Sequence, residues 1–407
     1  MGRTHVLGYG LLGLPLAFAA LPVYVHVPRL YADTAGMDLA LLGAILLGTR
    51  LADACIDPWF GWLADRLPRR RMLALALFPF VLGFVALLNP PATHAAPWLL
   101  VALALTYLGY SAAAVAYQAW GAALGDDAAM RTRLTAAREG FGLCGVVLAA
   151  ALPGLLADDL STGISRLSWL LPPVLLLAAV ATLALAGGAG RSPVPAERLA
   201  NSLARTFADR AFVRLLLVFI ANGIAAALPA TLFLFFVADV LGLESASGAL
   251  LAVYFIAGAA SLPFWVALAG RIGRVRAWGL AMLLAMLAFA GTSLLGPGDL
   301  WLFAAICLMS GLALGADLAL PAAIAADLGE RQGQSGACFG VWNFVAKLNL
   351  ALAAGLALPA LDLLGYRPGG GQGLAALIGV YALLPLAFKA LAAGLLWRWR
   401  DLLEIRS

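Results

Sequence analysis

Apolar runs of about 20 residues, broken by short clusters of charge, Pro or Gly, recur along the whole chain, and each is long enough to cross a bilayer as a helix. Twelve such runs centre near Phe18, Ile45, Val81, Leu108, Val147, Leu176, Asn222, Ile256, Met286, Leu312, Leu350 and Leu384. Only helices or closed barrels satisfy backbone groups in lipid, and these runs lack strand alternation. The pattern predicts an all-α polytopic membrane protein. An even number of crossings puts both ends on one side.

The longest hydrophilic stretch, Gly188 to Arg210, lies near the middle. It reads as a cytoplasmic linker with a short amphipathic helix, between six-helix bundles at 1–187 and 211–407. Internal repetition supports that division. PWFGWLADRLPRRR from Pro58 aligns with PFWVALAGRIGRVR from Pro263, an offset of 205, matching Arg66 with Arg271, Arg69 with Arg274 and Arg71 with Arg276. Leu124-Gly125-Asp126 aligns with Leu328-Gly329-Glu330 at an offset of 204.

Composition sharpens this picture. Hydrophobic residues are 63% of the chain and charged residues 12%, about half the charged share of a soluble domain. The net charge of +5 is spread over short loops rather than gathered on one face, so it marks membrane orientation and not nucleic acid. Eighteen arginines fall in loops on the side of the N-terminus and three (Arg29, Arg166, Arg367) opposite. The positive-inside rule then places both termini in the cytoplasm. The first run continues without a cleavage site, so it is expected to be retained as a helix. Two lysines against twenty-four arginines point to a bacterium with GC-rich DNA, hence its inner membrane. The four cysteines show no pairing or metal-ligand spacing. No phosphate loop, metal cluster or activated nucleophile is present. The chain is read as no enzyme, with no metal and no cofactor beyond a coupling ion.

Charge inside the apolar runs is where chemistry should lie, since each ionised group at membrane depth costs at least ~2.5 kcal/mol. Asp53 and Asp57 are four apart, on one face of the second helix, with Arg50 three residues before Asp53. One arginine cannot neutralise two carboxylates, and neighbouring acids favour reversible proton binding. The second repeat carries Gly258 and Leu262 in their places, as a single cation site would allow. The alternative is a static Arg50 to Asp53 ion pair that pins helices. Ser111 on the fourth helix is a candidate further oxygen ligand. Tyr107, Ser111 and Gln118 share a face there. Trp120 and Trp342 are candidate stacking platforms or packing residues. Asp317, with Pro321 one turn on, lines a cavity, binds substrate, or packs. Arg138 with Glu139 is a local ion pair or an anion site. Lys347 lies mid-helix with Asn343 one turn earlier, whereas Lys389, near the end of the last helix, is expected to snorkel to the interface.

These residues resemble a known group. GWLADRLPRRR, Gly61 to Arg71, looks like the cytoplasmic loop signature of the major facilitator superfamily, with Gly61, Asp65, Arg66, Arg69 and Arg70 in the matching places. The run Arg50 to Arg66 is similar to the second helix of the melibiose-carrier group, the glycoside-pentoside-hexuronide:cation symporters. Ala116 to Arg138 and Ala337 to Leu356 resemble that family's fourth-to-fifth and eleventh helices. The resemblance implies two six-helix halves rocking around a central cavity. Asp53, Asp57 and Ser111 would bind the cation, and Lys347 would compete for the acidic pair, with Arg50 tuning it. Tyr107, Gln118, Trp120, Arg138, Asp317, Trp342 and Asn343 would face solute, and Gly61, Asp65, Arg66, Arg69 and Arg70 would latch the cytoplasmic side. The first helix lacks the sugar-binding carboxylate, having Gly13-Leu14-Pro15-Leu16, and Ile56 stands where sodium users have Asn. The expectation is therefore cation-coupled symport of a small polar solute such as a sugar, with proton favoured over sodium. The partners are the solute and the lipid bilayer, with no nucleic acid, and a monomer is expected. The rivals are a lipid or lysolipid transporter on this fold, and a non-transporting membrane scaffold or assembly factor.

Overall fold

The structure is a computed structural model that describes residues 2–33, 37–91, 93–157, 159–187, 198–367, 369 and 371–404. Eleven of its helices are long and apolar enough to cross a membrane: α1 (Arg3–Tyr24), α3 (Arg69–Leu88), α4 (Ala95–Leu124), α5 (Ala128–Pro153), α6 (Thr162–Leu185), α7 (Arg210–Val240), α8 (Glu244–Ile272), α9 (Arg274–Leu294), α10 (Leu300–Gln332), α11 (Ser335–Leu363) and α12 (Leu374–Arg398). The remaining long helix, α2 (Leu39–Ala64), has 26 residues, which is ~39 Å of helix against a ~30 Å hydrocarbon core. It stands apart because Arg50, Asp53 and Asp57 fall within it. Residues 188–197 of the expected linker, and Arg406, lie outside the described residues. The rest of the linker carries the short helix Leu199–Ala208.

Local signals explain where helices begin. Asp127 accepts the Met130 N–H at 2.6 Å and Asp159 the Thr162 N–H at 2.9 Å. Asp209 likewise accepts the N–H groups of Ala211 and Phe212. Each aspartate satisfies amide donors that the first helical turn leaves open. Side chains such as Leu75, Leu177 and Leu287 stay more than 70% exposed on the outside, an arrangement stable only against lipid.

The chain divides into two compact units: Met1–Thr206 with Ala325–Phe344, and Phe207–Ile324 with Val345–Ser407. Within the first, helices approach at glycine. A Cβ on Gly109 would lie 2.3 Å from the Phe80 nitrogen, and one on Gly83 would lie 2.5 Å from the Thr106 nitrogen, so α3 and α4 meet backbone to backbone. The second unit does the same between α8 and α10, where a Cβ on Gly311 would lie 2.3 Å from the Tyr254 carbonyl oxygen. Small residues give membrane helices their close packing where hydrophobic burial cannot drive it.

The sequence repeat reappears as one hydrogen bond made in each unit. Arg69 donates to the Ala119 carbonyl at 3.1 Å, and Arg274 to the Ala323 carbonyl at 3.2 Å. The arginines are 205 residues apart (274 less 69) and the alanines 204 (323 less 119), the offsets of the two repeat matches. The surroundings differ: the N-terminus of α9 is capped by Glu404, which accepts the N–H groups of Arg274 and Val275 at 3.0 and 3.2 Å.

Candidate functional site

One stripe of α2 organises the first unit. Asp53, Asp57, Gly61 and Asp65 follow one another at intervals of four, so all lie along a single ridge of the helix. Asp53 and Asp57 are both buried, Asp57 with no exposed surface. Ser111 on α4, also buried, donates its hydroxyl to Asp53 Oδ1 at 2.6 Å. Pro58 sits inside α2, and with no N–H of its own it releases the carbonyl of Ala54, four residues back, from the helical ladder. Two carboxylates, a hydroxyl and a released carbonyl are therefore concentrated within about one turn. All are hard oxygen donors of the kind a proton or a small alkali cation takes. Arg50 is exposed, and its guanidinium carbon sits 4.2 Å from the centroid of the Tyr24 ring on α1.

Farther along the stripe α2 meets the start of α11. A Cβ on Gly61 would fall 2.4 Å from the Gly336 carbonyl oxygen, and one on Gly340 would fall 2.6 Å from that of Asp57. Any side chain at either place would force the helices apart. Asp65 closes the crossing by accepting the N–H groups of Gly336 and Ala337 at 2.7 and 2.8 Å. An aspartate of one helix thus caps the N-terminus of another, where amide donors and the helix dipole favour negative charge. Burial raises the Asp65 carboxyl above its ordinary value, and the two N–H groups and the Arg69 guanidinium offset this in part.

Arg69 spans the crossing. It donates to Asp65 Oδ1 and Glu330 Oε1, both at 3.4 Å, and to the Ser335 hydroxyl at 3.1 Å. Arg131 adds an ion pair with Asp327 at 2.7 Å. Arg66 folds back on its own helix, donating to the Trp62 carbonyl at 2.8 Å with its guanidinium 4.1 Å from the Trp62 ring. Arg70 donates to the Leu183 carbonyl and lies 5.5 Å from the Trp120 ring. The contacts of Asp65, Arg69 and Arg131 with Asp327, Glu330, Ser335, Gly336 and Ala337 tie residues 325–344 to the first half of the chain, with which that segment groups.

The remaining candidates separate. Trp120 is fully buried, edge-on to Tyr9 with ring centroids 6.0 Å apart. Tyr9 and Tyr117 bond reciprocally, each hydroxyl donating to the other's carbonyl, and a Cβ on Gly121 would strike the Tyr9 hydroxyl. Trp120 is thus held in a packed aromatic cluster. Arg138 is buried and ion-paired with Glu139. Tyr107 and Trp342 are buried, and Gln118 and Asn343 are partly exposed. Lys347 belongs to the second unit and is partly exposed.

The second unit holds the main departure from the sequence reading. Lys389 does not snorkel: it is only 7% exposed and ion-paired with Asp317. A lysine near a helix end reaches water only if no buried acid lies within its reach, and here Asp317 does. The indole N–H of Trp278, a fully buried residue, donates to the other oxygen of Asp317 at 2.8 Å. Asp317 and Lys389 line a cavity of about 270 Å³ made wholly from second-unit residues. Matching the unassigned acid of α10 with the unassigned base of α12 would have flagged the pair. Sequence spacing carries no such signal, because 72 residues separate them.

Comparison with known proteins completes the description. A family described as MFS/sugar transport protein matches residues 6–400. The fold is similar to that of a variant of the Escherichia coli fucose:proton symporter FucP, with TM-score 0.73, 15% identity, and 98% of this chain and 99% of that one covered. It is also similar to a bacterial homologue of the iron transporter ferroportin in an outward-facing state, with TM-score 0.74, 14% identity and coverage of 98% and 100%. FucP in the outward conformation matches at TM-score 0.72 and 14% identity, with 98% and 99% covered. No curated protein matches the sequence.

Proposed function

Because this chain belongs to the MFS/sugar transport family, and is a multi-pass membrane transporter and not an enzyme, we propose that it moves a small polar solute, such as a sugar or glycoside, by cation-coupled symport. The observation that carries this reading is the buried pair Asp53 and Asp57, one turn apart in an apolar helix, with the Ser111 hydroxyl on Asp53. Two buried carboxylates that close favour taking up one positive ion, because their repulsion is relieved and their desolvation offset when it binds. Ile56 offers no amide oxygen beside them, which favours a proton over sodium. The family's description as MFS/sugar transport protein supports a sugar-type solute, and the resemblance of the Arg50–Arg66 and Ala337–Leu356 segments to the melibiose-carrier group favours the same class.

In this reading α2 is the coupling element. It carries the cation site at its centre and the Gly61 and Asp65 latch at its end, so a change of charge at Asp57 acts on the same rigid rod that holds the N-terminus of α11. Arg50 and Lys347 tune the site's charge, and Asp65, Arg66, Arg69 and Arg70 act as a cytoplasmic gate in an alternating-access cycle. We place the protein in a bacterial inner membrane with both termini cytoplasmic, working as a monomer.

The test is uptake into proteoliposomes. Labelled sugars, glycosides and lysophospholipids are offered under a proton gradient, a sodium gradient, or neither. The expected result is accumulation of a sugar-type solute driven by protons, lost in Asp57→Asn with exchange across equal concentrations retained. Accumulation of lysophospholipid alone, or gradient-driven uptake unchanged in Asp57→Asn, overturns it.

A further inference from the structure

We propose that the second unit contains a separate binding site for a small uncharged amphiphile, an apolar molecule with one hydroxyl-type polar end, seated against Asp317 and Lys389. The site lies within one unit and owes nothing to the acidic pair of α2. Its cavity, about 270 Å³, has the volume of about nine liquid waters. Its walls include Phe233, Phe289, Phe303, Tyr381, Met286 and Leu314, apolar and largely aromatic surfaces that favour a compact hydrocarbon or ring over a water cluster. Its charged groups are Asp317 and Lys389.

That polar end has capacity left over. A carboxylate offers about four lone-pair positions and an ammonium three N–H donors. Asp317 takes one donor from Trp278 and one from Lys389. Lys389, nine-tenths buried, gives one N–H to Asp317. A hydroxyl placed there accepts from a second N–H of Lys389 and donates to Asp317. The ion pair is already neutral, so an incoming carboxylate or ammonium would leave one uncompensated charge in an apolar chamber, at a steep cost. Charge balance therefore selects a neutral ligand, and wall chemistry selects an apolar body.

A buried ion pair is weak evidence of stability, since apolar replacements of similar volume are often neutral or better. This suits a site whose polar end is kept for a ligand. It also supplies a usable control: removing both charges together leaves no lone buried ion.

The experiment uses the full chain in lipid nanodiscs and three probes on one skeleton: 2-phenylethanol, phenylacetate and 2-phenylethylammonium. Binding is read by saturation-transfer NMR and by thermal shift. The alcohol is expected to bind saturably and about tenfold more tightly than either ion. The double variant Asp317→Leu/Lys389→Met should weaken the alcohol about tenfold, and Leu314→Trp, which fills the chamber and spares the ion pair, should abolish binding. Equal binding of all three probes, absence of saturable alcohol binding, or wild-type alcohol affinity in a folded variant of either kind overturns the proposal. Because Asp57 is untouched, these outcomes are independent of the uptake test.

Discussion

Ser111 donates its hydroxyl to Asp53 across the α2 to α4 contact at 2.6 Å, with both side chains buried. In the proposed cation site the Ser111 oxygen would also be a ligand for a bound alkali cation. Ser111→Ala therefore separates two driving ions. Sodium-driven uptake would lose a ligand and weaken by roughly ten- to a hundredfold, taking about 1.5–3 kcal/mol for one interaction with a charged group, whereas proton-driven uptake would not need that oxygen. Uptake measured against pH and against sodium concentration reads the direction.

Gly61 has room for hydrogen only. A methyl there falls 2.4 Å from the Gly336 carbonyl oxygen, which is backbone and cannot swing aside. Gly61→Ala should cost about 1–3 kcal/mol as an overpacking change, seen as a lower apparent Tm and as faster labelling of a cysteine placed at Ser335. Gly43→Ala on the same helix, where nothing lies within 4 Å, should leave both unchanged.

Asp65 caps α11 from a buried position, and burial holds its carboxyl above the ordinary 3.8. A carboxyl so raised binds its proton more tightly in the capping position than in water. The capping contact thus takes up a proton as it forms, and loses stability as pH rises from 3.8 toward the raised value. Hydrogen exchange of the Gly336 and Ala337 amides, corrected for intrinsic rates, should show protection falling across that window, and Asp65→Asn should flatten the dependence. Because Asn keeps an acceptor oxygen, it should cost less than Asp65→Ala, which leaves two buried N–H groups open at about 1–3 kcal/mol.

Glu404 caps α9 through the N–H groups of Arg274 and Val275, next to Gly273 at φ +91°. Glu404→Ala should lower stability by about 0.5–2 kcal/mol, the range for loss of a helix cap. Thermal unfolding in lipid checks it, with Asp401→Ala, whose side chain is 94% exposed, as the silent comparison.

Much of the architecture is legible in the sequence itself. Runs of about 20 apolar residues leave a backbone in lipid little choice but helix, and the Pro58/Pro263 repeat aligns Arg69 with Arg274, which the structure shows making matching hydrogen bonds. Asp53 and Asp57 stand out in the sequence because charge inside a 26-residue apolar helix is costly wherever it sits.

What spacing could not reach were partners far apart along the chain. Arg50 has Asp53 as its neighbour by helical geometry, and nothing in that spacing indicates the Tyr24 ring of another helix beneath its guanidinium. Lys389, near a helix end, is expected to reach water, and instead pairs with Asp317. Asp65 could be seen as a loop residue, but not that its carboxylate caps a helix 271 residues away. Helical periodicity determines which side chains share a face, and the chain alone carries that. Which faces meet depends on packing between segments that have no sequence proximity, and only the tertiary structure decides where each buried charge finds its counterpart.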